Sequence, residues 1–257
     1  MTDLFDVSGK HIHVTGASSG LGRHFATVLA QRGARVSFGA RRLERIEALA
    51  KELAGTGGEA LAVACDVTSK DSLVSALDAS EEAFGPIDAL VNNAGTSLPA
   101  PVLDLALEDF QSVVKTNLDS VWISSQEIAR RSIVRKRACS IVNIASIAAI
   151  RTYMNVSPYV ASKAGVIALT RNMAVELSRT GVRINAIAPG FFDTELGAEF
   201  RAKYPERRAA QIERIPMGRV GEHGELDGAL ILLVSDASTY MTGTVIVVDG
   251  GMSQSAI

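Results

Sequence analysis

The chain reads as an α/β protein: a doubly wound parallel sheet with helices on both faces, three layers deep, in one domain spanning residues 1–257. Three observations predict it. Short apolar runs alternate with helical stretches along the whole chain, which is the pattern of parallel strands covered on both sides. A strand, a glycine-rich turn and a helix follow one another near the amino end. Polar residues recur where the predicted strands stop, and in open parallel sheets ligands bind beyond the carboxyl ends of the strands.

His11 to Thr15 is the first predicted strand, followed by Gly16-Ala17-Ser18-Ser19-Gly20-Leu21-Gly22. Arg23 to Gln31 then has Phe25, Val28 and Leu29 at helical spacing, and Gly33 ends the helix. Glycines let a backbone approach a pyrophosphate, and a helix N-terminus offers free N–H groups and a positive dipole end. Gly16, Ser18, Ser19, Gly20, Leu21 and Gly22 are therefore candidate phosphate contacts. The competing reading is a plain strand-to-helix turn.

The second strand, Arg35 to Gly39, leads into Ala40, Arg41 and Arg42. An acidic residue at this strand end binds ribose hydroxyls and selects NAD, whereas a basic one accommodates a 2′-phosphate. Alanine in the acidic place and two guanidinium groups after it favour NADP(H) over NAD(H). A solvent-facing helix start is the alternative for the arginine pair.

Further strands are Leu61 to Cys65, ended by Asp66 and Val67, and Ile87 to Val91, ended by Asn92-Asn93-Ala94-Gly95. Ser140 to Ala145 leads to Ser146, Val182 to Ala188 leads to Pro189-Gly190, and Thr244 to Val248 is last. Ordinary turns and helix caps compete for several of these polar residues, Asp66 and Thr194 among them.

Tyr159 and Lys163 lie four residues apart, so on a helix they share a face. Ser146 stands upstream of them. A free phenol and a free ammonium both titrate near pH 10, too high for proton exchange at neutrality. A cation close to a phenol favours phenolate and lowers its pKa, and a serine hydroxyl can hold the oxygen whose charge changes. A solvated lysine above a packed tyrosine is the plain alternative, and Ser146 could be bonded only to backbone.

Composition narrows the rest. A net charge of −2 gives no sign of nucleic acid or an anionic membrane as partner. No run reaches a membrane-spanning length free of charge, and residues 1–6 lack a signal-peptide pattern. Cys65 and Cys139 read as buried small hydrophobes, and two cysteines alone make no metal site. A cytoplasmic protein is the expectation.

Thr15-Gly16-x-x-x-Gly20-x-Gly22, Asp66-Val67, Asn92-Asn93-Ala94-Gly95, Asn117, Ser146, Tyr159-x-x-x-Lys163 and Pro189-Gly190-x-x-x-Thr194 occur in that order. Together they resemble the short-chain dehydrogenase/reductase family over essentially the whole length. The resemblance implies a Rossmann-type fold and an enzyme that interconverts a carbonyl and a secondary alcohol by hydride transfer with NAD(P). It assigns Tyr159 as acid or base, Lys163 to tune it and bind the nicotinamide ribose, Ser146 to polarise the substrate oxygen, and Asn117 to hold a water in a proton relay. Gly16, Gly20 and Gly22 would line the pyrophosphate. Asp66 and Val67 would contact adenine. Asn92, Ala94, Gly95, Pro189 and Gly190 would line the cleft, and Thr194 would bond phosphate or carboxamide.

The same resemblance implies a homodimer or homotetramer built on helices at about 104–135 and 157–179, and a lid over the substrate at about 191–216. Thr96 to Leu98, Ile147 to Tyr153, Phe191-Phe192 and Leu196 to Pro216, which includes Phe200, Tyr204, Arg201 and Lys203, are the candidate substrate pocket. Two other readings stand beside the general one. Reduction of 3-oxoacyl groups on an acyl carrier protein would use Arg131, in a basic run from Arg130 to Arg137, to grip the acidic carrier. A dinucleotide-binding regulator or scaffold would use the fold without chemistry.

Overall fold

The computed structural model describes residues 3–195, 198, 202 and 204–255. Among the described residues seven parallel strands form one sheet. In chain order they are β1 (His11–Thr15), β2 (Arg35–Ala40), β3 (Glu59–Ala64), β4 (Ala89–Asn92), β5 (Cys139–Ile144), β6 (Val182–Pro189) and β7 (Val245–Val248). Their order across the sheet is β3-β2-β1-β4-β5-β6-β7. The chain builds outward from β1 in one direction, then returns to pair β4 on its other side, so the winding reverses between β1 and β4. A crevice opens at such a reversal, beyond the strand ends.

The helices are α1 (Gly20–Gln31), α2 (Leu43–Gly55), α3 (Lys70–Phe84), α4 (Leu107–Val114), α5 (Ser120–Val134), α6 (Ser157–Leu177), α7 (Pro205–Glu213) and α8 (Asp227–Val234). On one face, Phe25 and Leu29 of α1, Leu49 of α2 and Leu230 of α8 pack against Ile12, Val14, Val36 and Phe38. On the other, Leu73 and Leu77 of α3, Ile128 of α5 and Met173 of α6 cover Leu90, Ile141 and Ile184. Each such fully buried side chain contributes roughly 1.5–3 kcal/mol by leaving water.

Several expected bounds shift by a residue or two, and one helix changes in kind. The helix expected over about 104–135 is α4 and α5 joined by a π-helical turn, Lys115–Asp119, which inserts an extra residue and turns Asn117 fully inward. β4 starts at Ala89, two residues late, because the ladder to β1 begins at the pair Ile12 and Ala89. Of the expected lid, residues 196–197, 199–201 and 203, including Phe200, Arg201 and Lys203, lie outside the described residues. Among the described residues no helix is long and apolar enough to cross a membrane.

Candidate active site

A cleft of about 480 Å3 lies at the reversal point, along the carboxyl ends of β1 to β6. It gathers Gly16, Ser18, Ser19, Gly20, Leu21, Gly22, Arg41, Arg42, Asp66, Val67, Ala94, Gly95, Ser146, Tyr159, Lys163, Pro189, Gly190 and Thr194 in its walls. These residues are spread over most of the chain. Topology alone brings them together.

The glycine turn is shaped for close backbone approach. Gly16 has φ +71, and a Cβ there would stand 2.7 Å from Ala94 Cα. A Cβ at Gly22 would collide with Asn93 Nδ2 and Gly16 O. Thr15 Oγ1 accepts from the backbone N–H groups of Asn93 and Ala94, each at 3.1 Å. Asn93 Nδ2 donates to Thr15 O at 3.0 Å and Gly16 O at 3.2 Å. The turn and the end of β4 are thus locked together. Ser19, the N-cap of α1, has extended backbone and no side-chain cap, and no acidic residue sits in the first turn. The helix start therefore keeps its donors and positive end for an anion, so these residues fit a dinucleotide pyrophosphate.

Where the sequence reading puts the adenosine, β2 ends in Ala40 rather than an acidic residue. Arg42 binds the glycine turn: Nε and Nη2 donate to Ser18 Oγ at 3.1 and 2.9 Å, and Nη2 to Ser19 Oγ at 2.8 Å. Arg41 is exposed at the cleft. Asp66 Oδ1 accepts from Thr68 Oγ1 at 2.7 Å and Thr68 N at 2.9 Å. Those bonds hold its carboxyl below the ordinary carboxylate range, and the charges of Arg41 and Lys115 add to them against a smaller opposing cost of burial. Asp66 therefore does two things: it closes the turn leading to α3, whose cap is Ser69, and it faces the cleft.

The serine, tyrosine and lysine sit where β5 ends and α6 begins. Ser146 follows β5 with extended backbone, and its Oγ accepts from Ala148 N at 3.1 Å. Pro158 in the first turn of α6 suits a helix start. One turn of that helix then places Lys163 Nζ 5.8 Å from the Tyr159 ring centre. Lys163 is 4% exposed, and Nζ donates to Ile144 O at 2.7 Å. Burial pushes the amine down to about 8.

The phenol departs from expectation. Tyr159 is partly accessible along the cleft, but its hydroxyl end is surrounded by protein, and this burial raises its pKa while a hydrogen bond with Ser146 works against the rise. Lys163 is not the group that counters burial here, because its amine is turned to a carbonyl. A raised phenol is protonated at neutral pH, which suits a proton donor.

Asn117 and Asn92 stand behind the cleft wall. Asn117 Oδ1 accepts from Thr96 N at 2.8 Å, and Nδ2 donates to Thr96 O at 2.9 Å and Ser162 Oγ at 3.0 Å. Ser162 in turn donates to Tyr159 O at 2.8 Å. Both amide hydrogens are used, so the side chain acts as a brace between the loop after β4 and the first turn of α6. A Cβ at Gly95 would lie 3.4 Å from Asn117 Oδ1 and 3.6 Å from Lys163 Nζ, which puts these groups side by side. Asn92 does not line the cleft. Its amide donates to Asn143 and Ser125 and accepts from Ser124, at 2.9, 3.0 and 2.7 Å. It is an interior tie from β4 to β5 and α5.

Beyond Ser146 lies a mostly apolar wall. Ile147, Ile215 and Met252 pack with Tyr153, Phe191 and Val247. Phe191 meets Tyr153 edge-on at 5.8 Å, and Phe192 faces the cleft. Arg151 donates to the backbone carbonyl of Ser255.

Arg131 is not placed to grip a carrier. Its side chain, 13% exposed, is held by Asp78, Glu81 and Glu127 at 2.7, 2.8 and 2.8 Å. Burial alone would lower this guanidinium; the carboxylate bonds outweigh it and raise it.

Three contributors carried no assigned role in the sequence: Thr15 and Asn93, present in the motifs but given no function of their own, and Glu195. The last joins Arg42 and Arg45 from far along the chain, and no local pattern announces a contact of that kind.

A family model described as enoyl-(acyl carrier protein) reductase matches residues 16–253. Among curated relatives, a gluconate 5-dehydrogenase of Gluconobacter oxydans is 38% identical, with 98% of each chain covered. A 3-oxoacyl-[acyl-carrier-protein] reductase of Thermotoga maritima is 36% identical over 96% of this chain and 98% of its own. Among solved structures, a short-chain type dehydrogenase/reductase from Mycobacterium marinum is 40% identical with TM-score 0.92, covering 97% of this chain and 98% of that one. A gluconate 5-dehydrogenase from Burkholderia cenocepacia, in complex with NADP and tartrate, is 33% identical with TM-score 0.94, covering 99% of both.

Proposed function

We propose a reaction for this chain, which belongs to the short-chain dehydrogenase/reductase family and is an NAD(P)-dependent oxidoreductase acting on CH–OH groups: NADP(H)-preferring interconversion of a ketone and a secondary alcohol on a hydroxylated carboxylic acid of the gluconate type. The observation that carries it is the convergence of Ser146, Tyr159 and Lys163 on the cleft that also holds the glycine turn and the arginine pair. The recurrence of gluconate in the names of relatives supports the substrate class, and Arg41 and Arg42, with Ala40 in the acidic place, support the phosphorylated coenzyme.

The coenzyme, when bound, supplies or accepts the hydride. The residues of this chain manage the oxygen and its proton. Ser146 donates a hydrogen bond to the substrate oxygen as negative charge builds on it. Tyr159, protonated at neutral pH, gives its proton to that oxygen in reduction and takes it back in oxidation. Lys163 places a positive charge near the same point, while Asn117 and Ser162 hold the first turn of α6 in place.

Tyr159→Phe tests the assignment. Turnover should fall by about 10²- to 10⁴-fold, with coenzyme dissociation constants nearly unchanged. Normal turnover in the variant rejects Tyr159. Initial rates with gluconate, its keto acid, simple ketones and a carrier-linked ketone, each with both coenzymes, decide the rest. Equal rates with NADH and NADPH, together with no effect of Arg41→Ala, remove the coenzyme preference. Coenzyme binding without turnover on any substrate returns the chain to the class of dinucleotide-binding regulators.

We also propose a homo-oligomer and a cytoplasmic location. Exposed apolar residues on α4 to α6 support the first, and two buried cysteines left as thiols support the second.

A further inference from the structure

We infer that Glu195 is an internal competitor for the 2′-phosphate subsite: its carboxylate occupies Arg42, one of the two arginines assigned above to a 2′-phosphate, together with Arg45 beside it, and it thereby sets the margin by which NADP(H) is preferred over NAD(H). The inference rests on the coenzyme reading above and adds a residue that opposes it.

Two guanidinium groups converge on this one carboxylate. Arg42 Nη1 stands 3.1 Å from Glu195 Oε2, and Arg45 Nη1 stands 2.9 and 3.0 Å from Oε1 and Oε2. Arg42 is oriented for the task by its bonds to Ser18 and Ser19 of the glycine turn. Its Nη1 edge is thereby presented beside the start of α2, next to the place where an acidic residue would otherwise read a ribose. Two forks around one acceptor group form a ready receptor for a phosphate monoester.

The carboxylate is displaceable. All three side chains are about half exposed, with 48% and 49% for the arginines and 56% for Glu195, and exposed ion pairs are weak. A phosphate monoester brings more negative charge and more acceptor oxygens than a carboxylate. The backbone just before Glu195 is set beside the glycine turn, however. Thr194 packs on the glycine turn, so that a Cβ at Gly20 would lie 3.4 Å from Thr194 Cβ. When a 2′-phosphate takes the arginines, the displaced carboxylate stays nearby and repels it. A bare 2′-hydroxyl meets no such repulsion, since a carboxylate can accept its hydrogen bond.

The test uses the full chain and two nucleotide fragments, 2′,5′-ADP and 5′-AMP, titrated calorimetrically into the wild type and Glu195→Gln. In the variant the affinity for 2′,5′-ADP should rise about three- to tenfold, as expected for losing two exposed pairs, while that for 5′-AMP changes less than twofold. The gain should shrink in 0.5 M salt and in an Arg45→Ala background. An unchanged or weakened 2′,5′-ADP affinity, or an equal gain for both nucleotides, overturns the role of Glu195 while leaving the coenzyme reading standing. Failure of both nucleotides to bind the wild type overturns the coenzyme reading itself, and this inference with it.

Discussion

Lys163 carries an amine into the protein interior, and that choice has a measurable cost. Its folded pKa is pushed down from 10.5 to about 8 by burial. A depressed folded value means that folding expels a proton between the two pKa values. The stability linked to this amine is then complete above about pH 10.5, declines as pH falls through 8, and stays lost at neutrality. The size is on the order of 3 kcal/mol, since each pH unit separating the folded and unfolded values is worth about 1.36 kcal/mol. Lys163→Met removes the buried charge and keeps most of the volume. It should raise the free energy of urea unfolding at pH 7 by about that amount while turnover and coenzyme affinity both collapse. A destabilised variant would show instead that the bond from Nζ to Ile144 O holds the end of β5 and outweighs the buried charge. Tyr159 shows the same tension. The four-residue spacing announced the pair, but the cost of burying the phenol depends on the walls around it, which come from β5, the loop after β4 and α6 together.

β1 carries a polar seam that its apolar neighbours conceal. His11 and His13 point to the face opposite Ile12 and Val14, and both are essentially fully buried. His11 Nε2 and His13 Nδ1 share the Ser37 hydroxyl at 2.8 and 2.9 Å, and Ser80 on α3 lies 3.2 Å from His13 Nδ1. Desolvation lowers both rings, and His13 falls from 6.5 to about 3. Since the folded value is depressed, the associated stability is present above pH 6.5 and is lost as pH falls toward 3. The unfolding free energy should therefore drop by about 2 kcal/mol between pH 7 and 5 from His13 alone. Urea midpoints across that range measure it, and His13→Gln should flatten the curve. A midpoint that does not move in the wild type removes the buried neutral ring from the account. The sequence marks His11 to Thr15 as a strand but does not reveal this seam, because alternation shows which residues share a face but not what the facing helix offers them. The π-helical turn at Lys115–Asp119 escapes for a related reason. One residue of extra winding leaves the local composition unchanged, and its effect, Asn117 turned toward Thr96 and Ser162, is visible only in three dimensions.

At the scale of the molecule, the sheet and the ring of residues at its carboxyl edge were legible in the chain. Each strand ends in a polar or glycine signal, and parallel winding sends all of those ends to one rim. Glu195 was not legible, since its partners lie about 150 residues away and exposed charges have no sequence grammar. The outer faces of α4, α5 and α6 raise the remaining question. Leu107 is 64% exposed, Trp122 47%, Val134 77% and Val175 76%. Large apolar side chains left exposed on these helices suit an interaction surface, and a second copy of the chain is the partner we propose. Light scattering of the purified protein at micromolar concentration should give the mass of a dimer or tetramer rather than the 27.1 kDa of one chain. Trp122→Glu places a charge where an aromatic anchor would be buried, and unpaired buried charge is strongly unfavourable at an interface. It should shift the mass toward the monomer while leaving the circular dichroism of the fold intact. A wild type that is monomeric throughout that range would reject self-association, and a variant that keeps its full mass would move the contact to another face.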